Sequence, residues 1–249
     1  MKRTLFGLTA SSLLAASASA AAFSASYGWE DQDASVFGTF GNIQIDGVQT
    51  GSTTGYDGTP IASPSGADSF SVTGASEGDY YLQVSEQQHG GTPNAIIAAV
   101  YDVAVGDVIN ISLDGWDETS GASPSIRVWY AVVDSNGAFT ASANGSISAD
   151  FSPGTGGWNA STGTYTVIQA DLDETDAAGI GIQLRLYSSP STDNTLFTDF
   201  FVDNLQIDVT TSSSTASIAL PNGSSIPVPE PGSLALLALG GITMLRRRR

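Results

Sequence analysis

Three features of the sequence predict an all-β fold built from antiparallel strands. Between residues 21 and 209, turn-forming clusters rich in glycine recur at short intervals, apolar and polar residues alternate over several segments, and long patterns with the helical period of 3.6 are missing. Strands that alternate in this way have one face in a core and one in water, which is typical of antiparallel sheets. Nine or ten such segments predict a two-sheet antiparallel β-sandwich of the jelly-roll type.

The predicted strands follow one another along the chain, separated by turn-forming segments. The segment 107–116 alternates clearly, because the aliphatic residues 109, 111 and 113 oppose the polar residues 110, 112 and 114. A weaker strand is expected within 138–150. The stronger segments are 36–45, 67–73, 79–86, 95–102, 107–116, 125–134, 164–171, 179–188 and 199–209.

The first twenty residues read as a secretory signal peptide with a helical apolar centre. Lys2 and Arg3 give a positive start, residues 4–16 are mostly apolar or small, and Ala18-Ser19-Ala20 offers a small-residue cleavage site. The mature chain is therefore expected to begin near Ala21. Cleavage two residues later, after Ala22, is the alternative.

The last 22 residues combine three physically different pieces in a fixed order. Val228-Pro229-Glu230-Pro231 is stiff, residues 233–245 form a short apolar helix candidate, and Arg246, Arg247, Arg248 and Arg249 end the chain. Arginines beside an apolar segment resist crossing a membrane and remain on its cytoplasmic side. Because the apolar segment is shorter than the roughly 20 residues of a stable span, it suits a transient anchor.

This three-part order resembles the PEP-CTERM sorting tail of bacterial exported proteins. The resemblance implies Val228, Pro229, Glu230 and Pro231 as the sorting motif, the four arginines as the membrane-stop cluster, and an exosortase-like membrane protease as partner. It also implies export from a bacterial cell through an inner-membrane intermediate to the cell surface or the extracellular space. Families with this tail are associated with exopolysaccharide and biofilm, so a polysaccharide partner is expected.

Four regions follow from this organisation: a signal peptide (1–20), a β-sandwich body (21–209), a flexible linker rich in Ser and Thr (210–227) and the sorting segment (228–249). Outside the signal peptide and the final arginines, two basic residues stand against 25 acidic ones, a formal charge of −23. Such a body repels phosphate backbones, which argues against nucleic-acid binding. The absence of cysteine excludes disulfides, thiolate zinc sites and cysteine nucleophiles.

Short motifs in the body resemble those of jelly-roll carbohydrate-binding modules. They are Gly28-Trp29-Glu30-Asp31, Gly106-Asp107-Val108, Trp158 before a Thr-rich segment, and Phe200-Phe201-Val202-Asp203-Asn204-Leu205. In that family the first and last motifs meet at a structural calcium ion. The resemblance implies Glu30 and Asp203 as carboxylate ligands, and calcium accepts such oxygens. Gln32 departs from the family pattern, which has glycine there.

Aromatic and polar residues at non-core positions indicate a candidate ligand face. If the segments 107–116 and 125–134 pair as neighbours, Trp116 and Trp129 share one exposed face. A shift of phase by one residue would turn them into the core, so core packing of both rings remains an alternative. The complete candidate face is Trp116, Trp129, Arg127, Arg185, Gln183 and Tyr187.

Catalytic residues are not predicted. The one histidine, His89, lies in a glycine-rich loop, and no nucleophile elbow, HExxH motif or phosphate loop is present. The sequence therefore predicts a non-catalytic surface or matrix protein. Two alternatives remain: a discrete carbohydrate-binding module, and a glycan-cleaving enzyme that uses two of the many carboxylates.

Overall fold

A computed structural model describes residues 20–41, 43–56, 69–86, 93–116, 126–143, 156–186 and 198–229. The predicted signal helix, the C-terminal apolar helix and the final arginines lie outside these ranges. Within them the chain is almost entirely β-structure, and the antiparallel sandwich predicted from the alternation is confirmed. The described elements are β1 (Ala21–Tyr27), β2 (Gly38–Phe40), β3 (Ile43–Thr50), β4 (Ser52–Tyr56), β5 (Ser69–Thr73), β6 (Tyr80–Glu86), β7 (Asn94–Tyr101), β8 (Val108–Trp116), β9 (Ile126–Val133), β10 (Phe139–Ser142), β11 (Trp158–Thr166), α1 (Gln169–Leu172), β12 (Gly179–Leu186), β13 (Thr198–Thr211), β14 (Ser217–Ala219) and β15 (Ser225–Pro227).

Two antiparallel sheets form the sandwich. Sheet A has the order β11-β8-β13-β6-β3, and β1 pairs with the second half of β13. Sheet B has the order β10-β9-β12-β7-β14-β15, and β2 pairs with the first half of β7. A small third sheet, the hairpin β4-β5, forms no strand pairing with either among the described residues. The inward side chains of β8, β13, β9 and β12 meet in one continuous core.

Two predicted strands differ from the structure. The segment 36–45 is divided between β2 in sheet B and β3 in sheet A. The segment 164–171 was expected to be extended, but β11 covers residues 158–166 and the chain then turns into α1. The cause is Asp171, whose fully buried carboxylate accepts hydrogen bonds from the Tyr165 hydroxyl and, at 3.0 Å, from the amide of Ile168. This carboxylate folds the chain back on itself, so the strand ends before it. Burial, followed by the bond to Asp171, raises the pKa of Tyr165.

The prediction of a flexible linker over 210–227 is wrong. Strand β13 continues to Thr211, and the hairpin β14-β15 extends sheet B by pairing with the second half of β7. Ile218, Leu220 and Val228 are buried in the main core. The Ser- and Thr-rich composition misled because some of these polar groups, among them the Thr211 hydroxyl and the Ser213 amide, bond within the fold.

Asp107 accepts hydrogen bonds from two of these residues, Thr211 and Ser212. Its carboxylate is 2% exposed and accepts hydrogen bonds from the amides of Ala104 at 2.7 Å and Ser212 at 2.9 Å, and from the Thr211 hydroxyl at 2.6 Å. These bonds join the turn between β7 and β8 to the end of β13. The chain after β13 is thus tied to the body at its first residues.

Strand register divides the sandwich into two ends. At the tail end, Ala21 pairs with Thr211 at the start of β1, and the last strand finishes with Pro227 beside Ser217. The turns 102–107, 134–138, 167–178 and 212–216 also lie there. At the opposite loop end, β8, β12 and β6 finish while β9, β13 and β7 begin.

Replacing Ile218 by alanine tests whether the terminal hairpin belongs to the fold. Because Ile218 is fully buried, we expect the change to lower the free energy of unfolding by about 2 to 4 kcal/mol. Urea denaturation followed by circular dichroism measures this loss, with the exposed Ser225→Ala as the matched control in the same hairpin. An unchanged midpoint for Ile218→Ala would mean that residues 217–227 do not contribute to the fold.

Candidate functional site

The outer face of sheet B brings together four of the six residues of the predicted ligand face. Cross-strand register between β9 and β12 places Gln183 opposite Trp129 and Arg185 opposite Arg127. The intervening residues of both strands, among them Val128 and the other aliphatic side chains, point into the main core. We call the group Arg127, Trp129, Gln183 and Arg185 the Trp129 patch.

A stacked pair forms the centre of the Trp129 patch. The guanidinium carbon of Arg185 lies 4.0 Å from the centroid of the Trp129 ring. The same guanidinium donates a long hydrogen bond of 3.5 Å from Nη2 to the hydroxyl of Ser142 on β10. Cation–π pairs of this kind contribute about 0.5 to 2 kcal/mol, with the larger values at desolvated sites. The pair therefore holds both side chains in one orientation.

Gln183 is the most unusual member of the patch because it is polar, 1% exposed and unpaired. Neither its amide nitrogen nor its amide oxygen has a hydrogen-bond partner in the described part of the chain, and the same holds for the indole Nε1 of Trp129. An unpaired buried polar group costs about 1 to 3 kcal/mol. The Trp129 patch therefore contains buried polar atoms that have no hydrogen-bond partner among the described residues.

The tail-end half of the same face is apolar and covered. Phe37 packs against a cluster formed by Ile96, Ala99, Ala131 and Val133. Its amide also donates to the carbonyl of Ile96 at 2.9 Å. The Trp129 patch is thus confined to the loop-end half.

Asn94 is a neighbour of the patch that the sequence did not reveal. It opens β7 directly opposite Arg185 and is 3% exposed. A single polar residue at the head of an otherwise apolar strand was the only available signal, and its assignment required the register between β7 and β12.

Trp116 does not belong to this face, and the predicted pairing that put it there is wrong. Strand β8 lies in sheet A between β11 and β13, whereas β9 lies in sheet B. Trp116 does point away from the main core, but it is 9% exposed and packs edge-on against Trp158, with ring centroids 5.7 Å apart. Tyr81, Phe201 and Val72 of β5 complete this second cluster. The hairpin β4-β5 thus helps to cover the outer face on which Trp116 was expected to meet solvent.

Tyr187, the sixth predicted residue, lies outside the described residues.

Glu30 and Asp203, the predicted calcium ligands, both reach the turn that precedes β6. Glu30 Oε1 accepts hydrogen bonds from the amides of Asp79 at 2.9 Å and Tyr80 at 3.1 Å. The turn needs glycine at position 78, where φ is +68° and a Cβ would collide with the Glu30 carboxylate. Glu30 therefore fixes the end of the turn that leads into β6.

Asp203 fixes the first part of the same turn, and its carboxylate accepts more hydrogen bonds than that of Glu30. Its Oδ2 accepts from the amides of Ser76 at 2.9 Å and Glu77 at 3.0 Å, and Oδ1 accepts from the amide of Asn204 at 2.7 Å. Burial raises the pKa of Asp203, and these hydrogen bonds oppose the rise. Since the folded state then holds the proton more tightly than the unfolded chain, Asp203 by itself lowers stability as pH rises from about 4 to its folded pKa.

This arrangement does not fit the calcium ion that the resemblance implied. Calcium takes six to eight oxygen ligands, whereas the groups that face these two carboxylates are N–H and O–H donors. Within the described ranges, no three Asp, Glu, His or Cys side chains are grouped closely enough to hold a metal. Glu30 and Asp203 act here as clasps for the turn 74–79.

The two predicted processing regions meet the body at its tail end. Ala20 is exposed and Ala21 begins β1, so the predicted mature start coincides with the first strand, whereas Ala18 lies outside the described residues. Val228 is 5% exposed, and its amide donates to the carbonyl of Ala216 at 2.8 Å. Pro229 is exposed; Glu230, Pro231 and the arginines follow outside the described part. No helix among the described residues is long and apolar enough to cross a membrane.

The geometry defines an antiparallel β-sandwich that carries an aromatic and cationic patch on one outer face. Residues 227–249 match the PEP-CTERM protein-sorting motif, so the chain carries the sorting tail of exported proteins. Its structural neighbours include β-sandwich domains of carbohydrate-binding modules. No curated protein matches the sequence of this chain.

Three solved structures illustrate that likeness. A xylan-binding domain from Paenibacillus barcinonensis is 15% identical, with 76% of this chain and 95% of that domain covered and a TM-score of 0.42. A cyclase from Fischerella in its apo form is 16% identical, with 75% and 94% covered and a TM-score of 0.35. A structure of promiscuous carbohydrate-binding modules from the β-sandwich superfamily is 15% identical, with 72% and 59% covered and a TM-score of 0.29. Similarity at these identities extends to the fold alone.

Asp203→Asn tests the clasp against the calcium hypothesis. An amide has one acceptor oxygen for the donors that now share two, so we expect a loss of about 1 to 3 kcal/mol in the free energy of unfolding. Melting of the unsubstituted protein should be the same with added calcium and with a chelator. A melting temperature that rises with calcium in the parent, and not in Asp203→Asn, would instead support the ion.

Proposed function

We propose that this protein is an exported, non-catalytic component of the cell surface or extracellular matrix that binds polysaccharide through the Trp129 patch. Its PEP-CTERM tail directs it to an exosortase-like protease at the inner membrane, where the tail is a transient anchor. The observation that carries the binding role is the buried and unpaired amide of Gln183 beside the stacked Trp129 and Arg185.

The chemistry of the patch suits a sugar. An indole ring offers a flat apolar surface for the C–H face of a pyranose, and nearby amide and guanidinium groups serve the hydroxyls. Guanidinium groups also bind carboxylates through two parallel hydrogen bonds, which suits uronic acids. Arg127 and Arg185 are the two basic residues of the body, residues 21–209, whose 24 acidic residues give it a formal charge of −22, and they lie directly opposite each other.

A structural matrix protein without a defined ligand is the second candidate. The low exposure of Gln183 and Arg185, 1% and 9%, favours it, because a ligand must reach the groups that bind it. In that case the Trp129–Arg185 stack only stabilises the sheet.

Glycan binding by variants of the patch separates the two candidates. We expect Trp129→Ala to weaken binding on an array of neutral and uronate-containing glycans by tenfold or more, since removing a central aromatic contact costs about 2 kcal/mol. Phe139→Ala, which removes a 37% exposed ring at the tail-end start of β10 in the same sheet, is the control and should bind as the parent does. Equal binding by the two folded variants would remove the patch from the proposal.

Gln183→Met gives an independent readout, because it keeps the volume of the side chain and removes both polar atoms. If the amide serves a ligand, glycan affinity should fall several-fold. Stability should rise at the same time, since an unpaired buried amide is lost. A rise in the melting temperature with unchanged affinity would favour the structural candidate.

A further inference from the structure

Both ends of the folded chain leave the sandwich at the same end. Ala21 begins β1 opposite Thr211, and Val228 is held against Ala216, immediately after the last strand. The two segments that the sequence assigns to membrane export, 1–20 and 228–249, are therefore attached to one surface of the body, the tail end.

The connection between the body and the apolar segment is also very short. Val228 is buried in the core, and the apolar segment starts at residue 233, so four residues (229–232) separate them. Fully extended, four residues span at most about 14 Å. The segment 210–227, predicted to be a flexible linker, is folded, and its hairpin belongs to sheet B. It therefore does not lengthen the connection between the body and the apolar segment.

We propose that the tail end of the sandwich is a membrane-facing surface and that its partner is the lipid bilayer. Through the short connection the body is held upright, with the tail-end turns at the headgroups and the loop end away from them. Strand β8 has nine residues, which corresponds to about 30 Å, so the loop end and the nearby Trp129 patch are displayed well outside the membrane surface. This inference rests on the anchoring role proposed for the tail.

The surface chemistry of the tail end indicates that the tether, rather than adhesion, sets this orientation. Val105 and Ile168 are exposed there by 50% and 37% and lie in adjoining turns, since the amide of Gly106 donates to the carbonyl of Val167. Around them stand acidic residues that anionic lipids repel: Asp102, Asp134, Asp173, Glu174 and Asp176. Two apolar tips within an acidic rim do not hold a body to a bilayer unless a short tether brings them there.

Single-cysteine labelling tests the orientation cleanly, because the sequence contains no cysteine. Val105→Cys places a fluorophore at the tail end, and Phe40→Cys places one at the loop end, where Phe40 pairs with Asn94. Both positions are exposed and apolar, so they form a matched pair. The full chain is reconstituted into phosphatidylcholine vesicles that contain a lipid with a nitroxide-labelled headgroup.

We expect several-fold stronger quenching at position 105 than at position 40. An insertion of about ten Gly and Ser residues after Val228, which adds about 17 Å of reach on average, should remove most of that difference. Equal quenching at both positions in vesicle-bound protein would overturn the orientation while leaving the anchor intact. Failure of the chain to sediment with vesicles would overturn the anchor, and the orientation with it.

Discussion

Strand β13 is the element on which the rest of the fold depends. Its 14 residues pair with β6, β8 and β1, so three parts of sheet A are held by one segment near the end of the chain. The same strand carries Asp203, which clasps the turn before β6, and ends at Thr211, which bonds Asp107. The chain has no cysteine, and the described residues contain no group of side chains that could hold a metal. The buried carboxylates of Asp107 and Asp203 instead cross-link distant segments by hydrogen bonds, a role that disulfides often have in small exported domains.

The local pattern of the sequence was a good guide to the phase of each strand and a poor guide to strand partners. Alternation placed Arg127, Trp129, Gln183 and Arg185 outside the core, and the structure puts them there together. The outward direction of Trp116 was also right, but alternation cannot reveal that β8 and β9 lie in different sheets or that the hairpin β4-β5 adds a further layer. Those features depend on contacts between residues far apart in the chain.

The linker prediction failed for a related reason. Ser- and Thr-rich composition describes what a segment does in isolation, where its hydroxyls bond to water. In this fold the edge of β7 was available for pairing, and a few apolar residues such as Ile218 were enough to bury the hairpin. The local preference of these residues for turns and loops is outweighed here by pairing with β7, because strand propensity depends strongly on tertiary context. The alternation of Ala216, Ile218 and Leu220 with smaller or polar residues was the signal that the composition obscured.

The pairing of the first strand with one near the end has a consequence for the order of folding. If the chain is exported amino terminus first, as proposed, β1 emerges long before the strand with which it pairs. Ala21 pairs with Thr211, and β7 pairs with the hairpin at 217–227. Contacts of such sequence separation are slow to form, so on the proposed export route the body would be incompletely folded while most of it crosses the membrane. Closure of both sheets becomes possible only when residue 227 has emerged, which is one residue before the sorting motif begins at Val228. On that route, completion of the fold and arrival of the tail at the bilayer would be nearly simultaneous.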